Sequence, residues 1–302
     1  MKKGIKITLV TLAIIIVVAG SALMIVTRSK AIDMVHNPIG TRNPVSESPS
    51  DYGIAYEDIS VTTADGLKLA GWFIPSDNGA VIIAQHGLYG GRNNMVYDAD
   101  LLHRHGYGVL LSSFRSHDVN EGDLITFGKY EVQDLEAWYL YLLTRSDVES
   151  TKIGILGESM GGMITIIYTA QNPNIKALAV HSAAPSIDAA ADMAVEHFAG
   201  LPAFPFAPLI IWWGEQIAGF DSNEIDATKW IGQISPRPVL IMMGGQDDTI
   251  PPESGQWLYE AAKEPKELWF VPEAGHHGIP EVKPEEYEQR VIGFFDTYLL
   301  GE

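Results

Sequence analysis

With 302 residues, the chain is long enough for one sizeable domain with appendages. Its formal net charge of −18 would repel phosphates, which excludes nucleic acid as a natural partner and otherwise serves solubility. The absence of cysteine removes thiol catalysis, thiolate metal sites and disulfides, and suits either side of a membrane.

Ile7 to Val26 is an uncharged apolar stretch of 20 residues, enough to cross a bilayer core as a helix. Ala19-Gly20-Ser21-Ala22 resembles a signal-peptide cleavage site, but Leu23-Met24-Ile25-Val26 carries the apolar run past it, which favours an uncleaved anchor. Lys2, Lys3 and Lys6 precede the span, whereas Arg28 and Lys30 follow it. That small excess predicts a single-pass protein with its body outside the cytoplasm. Ala31 to Ser50 supplies Pro, Ser and Asn without periodicity and reads as a stalk. The expected organisation is therefore an anchor over 1–30, a stalk over 31–52 and a folded domain over 53–302.

Beyond the stalk, strand-like runs alternate with amphipathic helical patterns, the signature of a mostly parallel sheet covered by helices. Val81 to Gln85 is an apolar run followed by His86-Gly87-Leu88-Tyr89-Gly90-Gly91, and Gly108 to Ser113 is a second such run. His103-Arg104-His105 does not read as a metal site, because residues two apart on a helix point in different directions. Tyr130, Leu135, Trp138, Tyr139 and Leu142 fall at helical spacing and predict a core face.

Lys152 to Leu156 then suits a strand buried on both faces. It runs into Gly157-Glu158-Ser159-Met160-Gly161, and Met163, Ile164, Ile167 and Tyr168 follow at helical spacing until Pro173. A bare G-x-S-x-G is weak in a glycine-rich chain; strand, pentapeptide and helix in succession make it a nucleophile elbow, a strained turn that presents the Ser159 hydroxyl.

A serine hydroxyl is a poor nucleophile near neutral pH, so a histidine base and an orienting acid must be found. After the strand Ile175 to His181 come Asp188 and Asp192, which read as helix-start residues and remain available as the acid. Pro185 to Gln233 breaks the pattern with Phe198, Phe204, Phe206, Trp212, Trp213, Phe220 and Trp230. Pro238 to Gly244 is the next buried strand, with Asp247 and Asp248 in the loop behind it. Leu268 to Val271 leads to His276 and His277, so carboxylate and imidazole follow the carboxyl ends of consecutive strands, where α/β sheets build sites. Tyr287, Val291, Phe294, Phe295 and Tyr298 behind Pro284 predict a closing helix with a core face.

From about Tyr56 to the end the chain resembles the α/β-hydrolase superfamily, in particular bacterial membrane-anchored serine hydrolases usually described only as esterases or peptidase-like hydrolases. Asp65 to Trp72 is similar to the family's opening hairpin, and Ile234-Ser235-Pro236-Arg237-Pro238 to its approach to the acid strand. The family's G-x-x-D-x-x-(V/I)-P pattern falls on Gly244, Asp247, Ile250 and Pro251, which selects Asp247 over Asp248; its G-H pattern selects His276 over His277. By family register the oxyanion donors are the N–H groups of Leu88 and Met160, with His86 bracing the loop. Relatives often carry Arg-Gly-x-Gly-x-Ser after the fourth strand, where this chain has Arg115-Ser116-His117-Asp118-Val119-Asn120-Glu121-Gly122. Arg115 is expected to pair with carboxylates, and His117 to be a solvated loop residue, with contact to substrate as its alternative.

The resemblance implies an α/β-hydrolase fold with a helical cap over 185–233 whose aromatics line the pocket or glue the cap to the body. The implied chemistry is acyl transfer by Ser159, His276 and Asp247 on a small-molecule or lipid-like ester, with no cofactor or metal. An ester is favoured because an alkoxide leaves more easily than an amine; a peptidase or amidase stays open. A tethered binding protein that has lost turnover would show damage to the triad or the oxyanion loop, and the sequence shows none.

Overall fold

A computed structural model describes residues 2–301, with side chains from Ile5 onward, so the Lys2 and Lys3 charges that bear on orientation lie outside the described side chains. In chain order the elements are α1 (Lys2–Val35), β1 (Glu57–Thr62), β2 (Lys68–Ile74), β3 (Val81–Gln85), α2 (Val96–Arg104), β4 (Gly108–Ser112), α3 (Glu131–Leu143), β5 (Ile153–Glu158) and α4 (Ser159–Gln171). They continue with β6 (Ala177–His181), α5 (Ile187–Ala194), α6 (Ala203–Ala218), α7 (Ala227–Ile231), β7 (Val239–Gly244), α8 (Ser254–Ala261), β8 (Lys266–Val271), α9 (Ile279–Val282) and α10 (Pro284–Phe295).

Among the described residues the strands form one eight-stranded sheet in the order β1-β2-β4-β3-β5-β6-β7-β8. β2 pairs antiparallel with both β1 and β4, and every other pairing is parallel. The two-residue period of the strands divides the core. Val81 and Ile83 of β3, with Val239 and Ile241 of β7, face the side that holds Leu135, Trp138 and Ile164. Ile82, Ala84, Leu240 and Met242 face the side that holds Leu102, Tyr287 and Phe295. Helices on both faces explain why the central strands are continuously apolar. This is the α/β-hydrolase fold.

The core faces expected of α3 and α10 are buried except at their ends. Tyr130 precedes α3 and is exposed beside the Arg115 guanidinium, and Tyr298 lies past the last turn of α10, packed on Phe294. Periodicity marks the face of a helix but not the point where it emerges from the core.

The segment 31–52 differs from the stalk expected of it. α1 continues to Val35, and Ala31 and Val35 are fully buried, packed on the core cluster that includes α6. Beyond it, the Val35 carbonyl accepts from Ile125 N–H, Asn37 donates to the Ser116 carbonyl, and Arg42 donates to the carbonyls of Asn120 and Gly122. These partners come from the loop after β4, so polar, aperiodic sequence here reflects hydrogen bonding to a neighbouring loop instead of solvation.

Arg115 holds that loop to the body. Its guanidinium donates to Asp134 at 2.7 Å and to Asp65 at 2.7 Å, and its own backbone N–H also donates to Asp134. Burial works against the guanidinium charge, but the two carboxylates hold its pKa above the ordinary value. Removing one partner of a buried pair strands the other, so Arg115→Met is expected to destabilise the protein by about 3–5 kcal/mol. Arg115→Met with Asp134→Leu should recover most of that loss, and urea denaturation of the single and double variants measures both.

Candidate active site

Ser159 stands at the junction of β5 and α4 with φ +53°, a left-handed conformation that costs a non-glycine residue energy and marks a strained turn. The turn needs glycine around it because neighbouring backbone passes very close. A Cβ on Gly161 would lie 2.3 Å from the His86 carbonyl oxygen, and one on Gly157 would lie 2.5 Å from Thr165 Oγ1. Helix α4 can thus press against the loop after β3, which brings that loop to the serine.

The Ser159 hydroxyl lies 3.1 Å from His276 Nε2, and the His276 Nδ1–H donates to Asp247 Oδ2 at 2.7 Å. The ionised carboxylate can only accept, so it holds the proton on Nδ1 and leaves Nε2 free to accept from the serine. Asp247 is nearly fully buried. Burial works against its charge, but the bond from His276 and the N–H groups of Ile250 and Thr249 hold its pKa below the usual carboxylate range. The neighbouring Asp248 is 75% exposed at its side chain and lies 3.8 Å from His197. Asp188 sits in the first turn of α5, accepts from Ser222 Oγ, and makes no bond to His276.

His277 has a separate partner. Its ring lies 4.0 Å from that of His276, and its Nδ1–H donates to Glu158 Oε2 at 2.6 Å. Burial opposes its charge, but Glu158 raises its pKa above the ordinary histidine value. Glu158 Oε1 also accepts a long bond from Gly87 N–H, so the pair braces the loop after β3. The sequence flags Glu158 and His277 separately; nothing in their spacing reveals that they meet.

The Leu88 N–H makes no hydrogen bond among the described residues, and Met160 lies in the first turn of α4, where N–H groups lack helical acceptors. Both residues line the cavity that contains Ser159 and His276. His86 braces the loop: its Nδ1–H donates to the Gly87 carbonyl at 2.7 Å and its Nε2 accepts from Phe114 N–H at 3.1 Å. Burial pushes its pKa down to about 3, which keeps it neutral, and with both ring nitrogens bonded to backbone it has none free to accept from the serine.

His117 departs from the solvated position expected of it. It is fully buried with its ring 5.0 Å from that of His86, and its Nδ1–H donates to the Arg115 carbonyl. The loop after β4 folds back over the sheet edge, and a run of polar residues carries no periodicity that would announce this.

A cavity of about 1080 Å³ opens onto Ser159. Its apolar lining includes Met163 of α4, Ile187, Ala190 and Ala191 of α5, and Val195 just past α5. Its polar lining includes Asn94, Asp98, Glu158, His277 and Glu281. Asp98 accepts from Tyr287 Oη at 2.6 Å, and burial pushes its pKa up to about 7. The aromatics of residues 185–233 divide: Phe220 packs on Phe127 with ring centroids 5.6 Å apart, Phe198 lines the cavity, and Phe204 and Trp212 remain exposed.

An α/β sheet with a serine on a strained elbow, a histidine within hydrogen-bond reach and a buried carboxylate behind it defines a serine hydrolase of the α/β-hydrolase fold. Residues 120–302 match the prolyl oligopeptidase family, and the chain belongs to it. The chain is 28% identical to an uncharacterized protein of Mycobacterium tuberculosis over 93% of its own length and 90% of that protein's. It is also 28% identical to the alpha/beta hydrolase domain-containing protein WAV2 of Arabidopsis thaliana, over 87% of this chain and 85% of that one. Among solved structures, the esterase Pf2001 of Pyrococcus furiosus superposes with a TM-score of 0.75 at 28% identity, covering 88% of this chain and 98% of the esterase.

Proposed function

We propose that the protein hydrolyses a carboxylic ester of a hydrophobic acyl group through an acyl-enzyme. Ser159 attacks the carbonyl, His276 takes its proton and returns it to the leaving alcohol, and Asp247 holds the imidazole. The Leu88 and Met160 N–H groups receive the oxyanion, and water then repeats the sequence on the acyl-enzyme. The observation that carries this reading is the hydrogen-bonded chain from Ser159 through His276 to Asp247, opening into a cavity with an apolar cap wall. Likeness to an esterase supports the ester.

The family match favours a second reading, peptide or amide cleavage. The test is a p-nitrophenyl ester series of rising acyl length beside p-nitroanilides of the same acyl groups. Ester turnover with an optimum at medium or long chains supports the first reading; turnover of the anilides alone transfers the conclusion to amides.

We also assign α1 as a single-pass anchor with the domain outside the cytoplasm. Support comes from its apolar, exposed stretch, with a mean hydropathy of 2.9 over its best window, and from Lys6 ahead of it. By length and composition a signal sequence passes the same test, and the mass of the membrane-bound protein separates the two. The division into an anchor over 1–30, a domain over 53–302 and a cap over 185–233 is proposed on the same footing, with 31–52 as a bound connector.

A further inference from the structure

We infer that the cavity takes its substrate directly from the bilayer that holds α1, and that this substrate is an uncharged acyl lipid of the glyceride type. The inference rests on the hydrolase and anchor readings above and adds the place and class of the substrate.

The geometry of α1 sets the depth of the site. Side chains from Ile7 to Ile25 are largely exposed, and the first fully buried one is Thr27, followed by Ala31 and Val35. At about 1.5 Å per residue, Ile7 to Val26 spans about 30 Å, the thickness of a hydrocarbon core. Lys30, Asp33 and Met34 line the same cavity as Ser159. Those three residues follow Val26 by about 6–12 Å along the helix, which places them from within the headgroup layer, about 5–7 Å deep, to just above it.

α1 is also fixed to the site. The Tyr89 hydroxyl donates to the backbone carbonyls of Asp33 and Met34, and Tyr89 adjoins Leu88 in the oxyanion loop. On α6 a Cβ at Gly214 would lie 3.2 Å from Met34 Cε, and the Arg28 guanidinium lies 5.8 Å from the Trp213 ring. A helix held at these points cannot carry the domain away from the surface on a loose tether.

Exposed aromatic residues adjoin the partners of α1, Phe198 at Tyr89 and Trp212 at Trp213, and Phe204 lies at the start of α6, the helix that packs on α1. The Phe198 ring lies 6.3 Å from Tyr89, and Trp212 lies 4.6 Å from Trp213; Phe198 is 55%, Trp212 44% and Phe204 82% exposed. Tryptophan and tyrosine concentrate at the membrane interface, the exposed phenylalanines add apolar area beside them, and Arg28 just past the span can reach a lipid phosphate.

The lining selects the headgroup. Among the cavity's carboxylates Asp33 lies 3.8 Å from Lys30, Glu158 is bonded to His277, burial raises Asp98 to about 7, and Glu281 makes no ion pair among the described residues. Lys30 and His277 are thus already engaged and Glu281 repels a phosphate, whereas the hydroxyls of a glyceride can donate to the carboxylate oxygens. The cap wall receives the acyl chain.

The test uses the full chain in vesicles of diether phosphatidylcholine, which contains no ester, with a few mole per cent of either monooleoylglycerol or oleoyl lysophosphatidylglycerol. Oleate release is compared with aqueous p-nitrophenyl butyrate turnover. Oleate should leave monooleoylglycerol about tenfold faster than the lysophospholipid, a like-charge penalty near 1.4 kcal/mol. Trp212→Gln with Phe204→Ser should slow vesicle hydrolysis by a similar factor and leave the butyrate rate within about twofold. Butyrate turnover without lipid turnover overturns the inference and leaves the hydrolase reading standing. Equal rates on the two headgroups overturn the glyceride assignment, and a vesicle rate unmoved by the double variant overturns delivery through the cap. Turnover of neither substrate overturns the inference together with the hydrolase reading.

Discussion

Ser159→Ala is expected to lower kcat for a p-nitrophenyl ester by about 10⁴- to 10⁶-fold and to abolish labelling by a fluorophosphonate. His276→Ala should match it, and the double variant should lose little more, because nucleophile and base act as one unit. Asp247→Asn is expected to cost about 10⁴-fold in kcat: an amide that donates to His276 places the imidazole proton on the nitrogen that must accept from the serine. The neighbours are the controls. Asp248 is exposed and makes no bond to His276, so Asp248→Asn should leave kcat within about twofold. His277 is bonded to Glu158 and has no contact with the Ser159 hydroxyl, so His277→Gln should cost about tenfold or less, through the loop it braces. Rates and labelling measured on this set decide the roles. If Ser159→Ala keeps more than about one per cent of parent activity, Ser159 is not the nucleophile.

These controls correspond to choices that residue types alone leave open. The elbow at Ser159 is legible because strand, turn and helix are local and each leaves a pattern. Asp247 and Asp248 have the same chemistry and adjacent positions, so only the family pattern separates them. In the fold, the Asp247 carboxylate turns inward because it accepts from the N–H groups of Thr249 and Ile250 two and three residues ahead, and its other oxygen then meets His276. Contacts between distant segments leave no such trace. Asp98 and Tyr287 lie 189 residues apart, and the base of α1 reaches the pocket through α6 and Tyr89. His117 misleads for the same reason: a polar loop reads as solvated until Arg42 and Asn37 cover it.

The fold should lose stability in mild acid before Asp247 titrates. His86, His117 and His181 are all but fully buried, with pKa values pushed down by burial to about 3, about 4 and about 3. His86 and His117 also face each other, Arg42 lies near His117, and His181 packs beside His276 and His277, so each would meet positive charge on protonation. In the unfolded chain each returns to about 6.5. As pH falls through that value the unfolded state binds protons the native state refuses, so stability falls with pH until the folded values are reached. Between pH 6.5 and 5 the loss is on the order of 2 kcal/mol for each histidine. Asp98 and Asp134 have the opposite sign: burial puts their folded values near 7, above the unfolded one, so the native state holds protons the unfolded chain releases, and acid returns for each about as much as one histidine costs. His277, raised by Glu158, contributes stability that is complete below its unfolded value and lost at higher pH, outside this window. The net expectation is a loss of about 2 kcal/mol from pH 6.5 to 5, read as a fall in the urea midpoint of the detergent-solubilised chain. His117→Asn should lower the slope of stability against pH by about 1.4 kcal/mol per unit, whatever its effect on stability at pH 7. A flat profile in the parent would mean that these imidazoles find water or a counter-charge, and that the loop they brace is open.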